Sequence, residues 1–335
     1  LPIILVNRYV NFDRLSHYAL PASLAASLFI GSLIYSVFPA KRRFFVLSVL
    51  IALATLTHHG TAARSISAGK TVSDFWWQVV WRAPQINSEN HTTLLVVYPD
   101  VNYADGNEVA WAPANMIYYP EKQGRSPIVV PLSALKLEAE ILPQLVMGSK
   151  EYTREDLIIK NIEITFNYKN LLVLTQPSTQ SCMHALDSRW DGLSTADSPY
   201  VITSAAKSNI ENIVPTGKTP SPPEVLFGSE PSHKWCYFYQ KADLARQVGD
   251  WEEVKEIFEE AEQKDLHPND QIELIPFIQA YAYDDDFKTV KELSTRINTE
   301  HFYRQQACTV LSQMELYGYP LSDEMQNKVD DWFLS

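Results

Sequence analysis

From Tyr18 to Phe38 the chain reads YALPASLAASLFIGSLIYSVF, without a charged side chain and apolar on every side of a helix rather than along one stripe. About 20 such residues at ~1.5 Å rise cross a ~30 Å hydrocarbon layer, so the pattern predicts a spanning helix over 18–38. Pro21 falls in its first turn or so, where a missing N–H does little harm, and Gly31 leaves room for a close helix neighbour. After the basic turn Ala40–Lys41–Arg42–Arg43, the run FFVLSVLIALATLT over Phe44–Thr57 predicts a second helix over 44–63, with His58 and His59 near the interface. The expectation for residues 1–72 is a membrane helical hairpin. The chain opens inside another apolar run, Leu1–Val6, which suggests the tail of an earlier span or, alternatively, a processed or interfacial end.

Past the hairpin the period changes. DFWWQVVWR over Asp74–Arg82 puts aromatic residues on a helix, and two readings stand: an interfacial helix beneath a folded domain, or a core helix of that domain. TTLLVVY (92–98) and PIVVPL (127–132) are short β-branched runs and predict buried strands, with AWAPANMIYY between them. A helix is expected over Ala134–Met147, and a hairpin of strands over 162–166 and 171–175 about the turn Asn167–Asn170. The reading for 73–214 is an α/β domain. Residues 215–232, rich in proline, predict a linker or extended strap.

The tail, 233–335, is helical and echoes itself. GDWEEVKEI (249–257) aligns with DDFKTVKEL (285–293), pairing Trp251 with Phe287 and Val254 with Val290 at a spacing close to the ~34 residues of a tetratricopeptide unit. The fold class is thus a membrane helical hairpin, an α/β soluble domain and an all-α tetratricopeptide-like helical-hairpin domain.

Charge sharpens this division. Of a net −12, residues 1–72 hold seven Lys or Arg against Asp13 alone, a net +6 that leaves −18 for the rest. Nucleic acid is excluded as a partner, because phosphate binding needs clustered positive charge. The cations Lys41–Arg43 place the turn in the cytoplasm and the soluble region outside, although Arg8, Arg14, Arg64 and Lys70 on the flanks compete for the same preference. The expected location is the cell membrane, multi-pass, with the lipid bilayer as a partner.

Chemistry is harder to find. Ser67–Thr71 (SAGKT) resembles the end of a phosphate loop but lacks its first glycine, and no nucleophile elbow or zinc helix occurs. No cofactor or metal motif is present. Cys182 and Cys236 either pair, if the region is outside the cell, or are separate buried thiols; Asn90–His91–Thr92 fits a glycosylation sequon. The aromatic residues with polar tips, Trp111, Tyr118, Trp235, Tyr237 and Tyr239, with Asn115 and His233, form a candidate ligand or partner surface, although interdomain packing explains them as well.

Two resemblances follow. The entry from Arg8–Tyr9 to Pro21, the basic turn and the strand-like pieces after DFWWQVVWR resemble the C-terminal end of polytopic GT-C-type glycosyltransferases. That resemblance implies a polyprenyl-phosphate sugar as donor and a catalytic acid in an early extracytoplasmic loop, a region outside this sequence, so no catalytic residue carries over. The tail resembles tetratricopeptide repeats, which implies a protein partner on a concave face. The two expected functions are lipid-linked glycosyl transfer and a non-catalytic anchored scaffold.

Overall fold

The computed structural model describes residues 20–89, 91–99, 106–122, 128–146, 152–156, 162–190 and 192–333. Asn90 of the sequon and the opening run Leu1–Val6 lie outside them. The chain divides into two compact units, one ending at Lys70 and the other beginning at Thr71.

In the first unit, α1 (Leu20–Val37) is followed by the start of α2 (Ala40–Arg82), a single helix of 43 residues. Phe38 and Pro39 separate the two helices, so Lys41–Arg43 belong to the first turns of α2 rather than to the connection itself. There Arg43 Nε donates to Phe38 O at 2.5 Å and its guanidinium lies 3.9 Å over the Tyr35 ring. Hydroxyls along the apolar part are satisfied within the helix: Thr55 donates to Ile51 O and Thr57 to Leu53 O, both at 2.9 Å. Leu50, Ile51, Leu53 and Leu56 are exposed, and none of the apolar window of α2, mean hydropathy 1.5, is buried. Among the described residues this one helix is long and apolar enough to cross a membrane, whereas the apolar stretch of α1, Ser23–Val37, is shorter. Where two spans were expected, one qualifies, and the second helix does not stop near Ala63.

The second unit begins with the last turns of α2, where the composition turns aromatic. Phe75 to Arg82 are all buried, which settles the two readings of DFWWQVVWR in favour of a core helix; the interfacial placement is corrected. The cause is hydrogen bonding as much as size. Trp76 Nε1 donates to Tyr98 Oη at 2.8 Å, Trp77 Nε1 to Phe227 O at 3.2 Å and Trp81 Nε1 to Glu230 Oε1 at 2.8 Å, so each indole finds its partner inside the fold rather than at a headgroup.

A four-stranded sheet follows in the order β3-β1-β6-β7, from β1 (Thr93–Val97), β3 (Ser133–Lys136), β6 (Leu171–Thr175) and β7 (His184–Ala185). β1 pairs in parallel with both β3 and β6, and Leu94, Leu95 and Val96 are fully buried, as a central parallel strand requires. The crossover from β1 to β3 carries α3 (Glu108–Tyr118). A second, three-stranded sheet has the order β2-β5-β4, from β2 (Ile128–Val129), β4 (Tyr152–Asp156) and β5 (Ile162–Phe166).

Two expectations fail here. Ala134–Lys136 is strand, with only a short helix α4 (Leu142–Val146) after it. β5 and β6 form where expected but are not a hairpin: they belong to different sheets. The reason is burial, since Leu171–Thr175 are buried without alternation and β6 fits only at the centre beside β1, whereas β5 buries Ile164 and Phe166 around a half-buried Thr165. The asparagine turn serves the change of sheet: Asn167 N donates to Thr93 Oγ1 at 2.8 Å and Asn170 Nδ2 to Thr92 Oγ1 at 3.1 Å.

After α5 (Pro199–Ala205) and the short α6 (Glu224–Phe227) come three helical hairpins: α7 (Trp235–Val248) with α8 (Trp251–Gln263), α9 (Ile275–Tyr283) with α10 (Phe287–Ile297), and α11 (His301–Gln313) with α12 (Asp323–Phe333). The internal echo is visible in the backbone. Gly249 and Asp285 occupy the same left-handed position, φ 74° and 56°, and the next amide bonds five residues back each time, Asp250 N to Ala245 O and Asp286 N to Tyr281 O, both at 3.0 Å. Asp250 and Asp286 then cap α8 and α10 through the amides of Glu253 and Thr289. Val254 and Val290 are both fully buried.

Candidate functional site

The segment Ser181–Asp197, SCMHALDSRWDGLSTAD, carries neither a helical nor a strand period over most of its length. Its backbone needs partners, and α7 and α11, the first helices of two of the hairpins, supply them together with α2. Cys182 is disulfide-bonded to Cys236 of α7, with Cα atoms 5.2 Å apart. Gln240 Nε2 of α7 donates to Met183 O at 2.5 Å, while Gln78 Oε1 of α2 accepts from Met183 N at 2.8 Å. Gln306 of α11 brackets Leu193, accepting from its N–H and donating to its carbonyl, both at 2.8 Å. Thus the chain lays its own segment along α7 and α11, burying Ser181–Asp187 and leaving Ser188, Thr195 and Ala196 exposed.

Beneath this segment lies a buried polar cluster. Glu273 accepts from Trp235 Nε1 at 2.6 Å and from Cys182 N at 2.7 Å. His184 Nε2 is 3.6 Å from Glu273 Oε1, a charge contact slightly too long for a hydrogen bond, and both His184 nitrogens lack a hydrogen-bond partner. Asp197 accepts from Thr175 Oγ1 at 2.9 Å and from Ser194 N at 2.8 Å. Burial pushes the Glu273 and Asp197 carboxyls up. Burial alone would lower His184, but Glu273, Asp197 and Asp270 together hold it above its ordinary value.

The cluster backs onto an open polar cleft of about 330 Å³. Asp270 forms part of its floor: it is 7% exposed, its Oδ2 accepts from Ser181 Oγ at 3.1 Å, and its Oδ1 has no hydrogen-bond partner. Tyr303 Oη, on α11, lines the same cleft and meets Ser194 Oγ at 3.2 Å and Thr195 Oγ1 at 3.1 Å. Among the described residues no group of three or more His, Cys, Asp or Glu side chains is arranged to hold a metal ion.

No family model, curated protein or solved structure matches this chain. Its chemistry therefore has to be read from its own geometry.

That geometry scatters the seven residues expected to form one surface. Asn115 is structural, accepting from Leu132 N at 3.0 Å and donating to Leu132 O at 2.7 Å; Trp111 packs against the sheet core. Tyr118 donates to Ala83 O at 2.7 Å, and burial raises its pKa. His233 stacks on Tyr237 with centroids 3.6 Å apart, while Tyr237 meets Trp81 edge-on at 5.2 Å; together with Glu230 these rings fasten the proline-rich strap to the end of α2. Trp235 and Tyr239 are buried, Trp235 on Glu273 and Tyr239 edge-on to His184 at 5.5 Å. The polar tips of Tyr118 and Trp235 are bonded inside the fold, whereas Trp111 Nε1 has no hydrogen-bond partner. What sequence reasoning missed is Asp197, Asp270, Glu273 and Tyr303, which are scattered over the chain and share no motif.

A second buried network ties α2 to the tail. Arg82 Nε meets Asp243 Oδ2 at 2.5 Å and Arg82 Nη1 donates to Gln247 Oε1 at 2.8 Å, while Arg246 Nη2 meets Asp243 Oδ1 at 2.6 Å. The two arginines hold Asp243 below its ordinary pKa against the opposing effect of burial.

Proposed function

We propose that this protein is a membrane-anchored binding module, with α1 and α2 as its anchor and its folded unit in an oxidising compartment outside the cytoplasm. The observation that carries this reading is the helix α2, which is apolar and uncovered in one part and a buried, ion-paired core element in another. The Cys182–Cys236 disulfide supports the outside placement, because such bonds persist where thiols are not kept reduced. Lys41–Arg43 at the start of α2 supports a cytoplasmic position for the connection between α1 and α2.

Binding rather than a peptide groove follows from the helical hairpins. The first helices α7 and α11, on which a repeat array would receive a partner peptide, already hold Met183 and Leu193 of the same chain. The polar cleft at Asp270 is left as the receptive surface. The glycosyl-transfer reading draws on no residue of this unit and is carried no further. Fractionation of cells after alkylation of free thiols tests the proposal. The expected result is full-length protein in the alkaline-carbonate-resistant membrane pellet with Cys182 and Cys236 unalkylated; recovery in a detergent-free supernatant, or alkylation of both cysteines before lysis, overturns it.

A further inference from the structure

We infer that the cleft over Asp270 binds a small primary ammonium carried on a hydroxylated body, of which an amino sugar is the simplest example. This deepens the binding-module reading by naming the ligand class of the same site. The first argument is the unsatisfied acceptor. A buried carboxylate oxygen without a donor is costly, and Asp270 Oδ1 is such an atom on the floor of an open recess; a ligand donor removes the cost, and a charged donor removes most. The second is charge: among the described residues two acids, Asp270 and Glu300, and no Lys, Arg or His line the cleft, so the local field favours a cation.

The third argument separates an ammonium sugar from a bare amine or metal. Around Asp270 the cleft is lined by hydroxyls, those of Ser194, Thr195 and Tyr303, with Asn269 beside them. Hydroxyls both donate and accept, so they match ligand hydroxyls better than an aliphatic chain or a cation that requires several anionic ligands. A volume of about 330 Å³ accommodates one such ring and its water.

The test is isothermal titration of the full chain in detergent micelles with glucosamine, in buffer acidic enough to keep its amine protonated, beside glucose and N-acetylglucosamine. Glucosamine is expected to bind at least tenfold more tightly than either neutral sugar, and Asp270→Asn to remove that preference. The Thr195→Val variant should weaken glucosamine by several-fold while leaving the preference for the charged sugar in place. It also serves as the reporter if D270N does not keep its Cys182–Cys236 bond. Equal binding of the three sugars, no heat with glucosamine, or wild-type affinity in either variant overturns the inference. The membrane fractionation stands apart from these titrations, so failure of the ligand class and failure of the anchor are read separately.

Discussion

Replacing Cys182 and Cys236 together by serine removes the one covalent tie between the central segment and the tail, across a sequence separation of 54. Loop-closure entropy for a ring of that size corresponds to about 4 kcal/mol of stability, a large share of the ~5–15 kcal/mol that holds an ordinary domain. The structure suggests that the whole amount is felt. Cys182 is fully buried, and its amide shares Glu273 with the Trp235 indole, so the segment cannot retreat without stranding a buried carboxyl. The assay is urea unfolding of the full chain in micelles, followed by tryptophan fluorescence and run with and without reductant. Wild type under oxidising conditions should unfold later than the double variant by a shift equivalent to about 4 kcal/mol, and reductant should bring wild type down to the variant. Coincident curves, or tryptic peptides carrying residues 182 and 236 that separate without reduction, would refute the reasoning.

Other expectations can be measured on the same material. Arg82→Met leaves Asp243 with Arg246 alone and should cost about 3 kcal/mol in urea unfolding, whereas a loss below about 0.5 kcal/mol would deny the Arg82–Asp243 pair its role in joining α2 to the tail. Gly249→Ala puts a Cβ at φ 74° and into the Tyr319 ring, so its thermal midpoint should fall by more than the ~1 kcal/mol equivalent of the left-handed backbone alone; an unchanged midpoint counts against the turn. Glu273 and Asp197 are raised from 4.5 and 3.8, and His184 from 6.5, so each binds more protons folded than unfolded. Their contribution is complete below those values and is lost as pH rises through the folded ones. Asp243 acts oppositely, its contribution being lost as pH falls below 3.8 through its lowered value. The thermal midpoint should therefore decline from pH 5 to 8, and a rise over that interval in wild type would contradict the cluster.

The chain's local patterns reached a definite distance. The uncharged run before His58 and the 36-residue echo between Trp251 and Phe287 are helical and the β-branched run TTLLVVY is a strand, as expected, because backbone geometry and solvent exposure decide element type within one or two turns or strands. The same patterns misjudged Ala134–Lys136, where pairing with β1 overrode a helical spacing, and the β5–β6 pair, where an asparagine turn suited to a hairpin changes sheets instead. The aromatic helix end could be read two ways from composition, and only the partners of its indoles decided that it is core.

The candidate site was not legible at all. Its carboxyls and hydroxyls come from Ser181, Ser194, Asp270 and Tyr303, and no motif links positions so far apart. Sequence by itself determined which stretches of this protein must avoid water and which must turn, since those are properties of a residue and its near neighbours. Tertiary structure alone decided which acid lies beside which hydroxyl, because burial and charge at one residue are set by chain that is distant in sequence and adjacent only after folding.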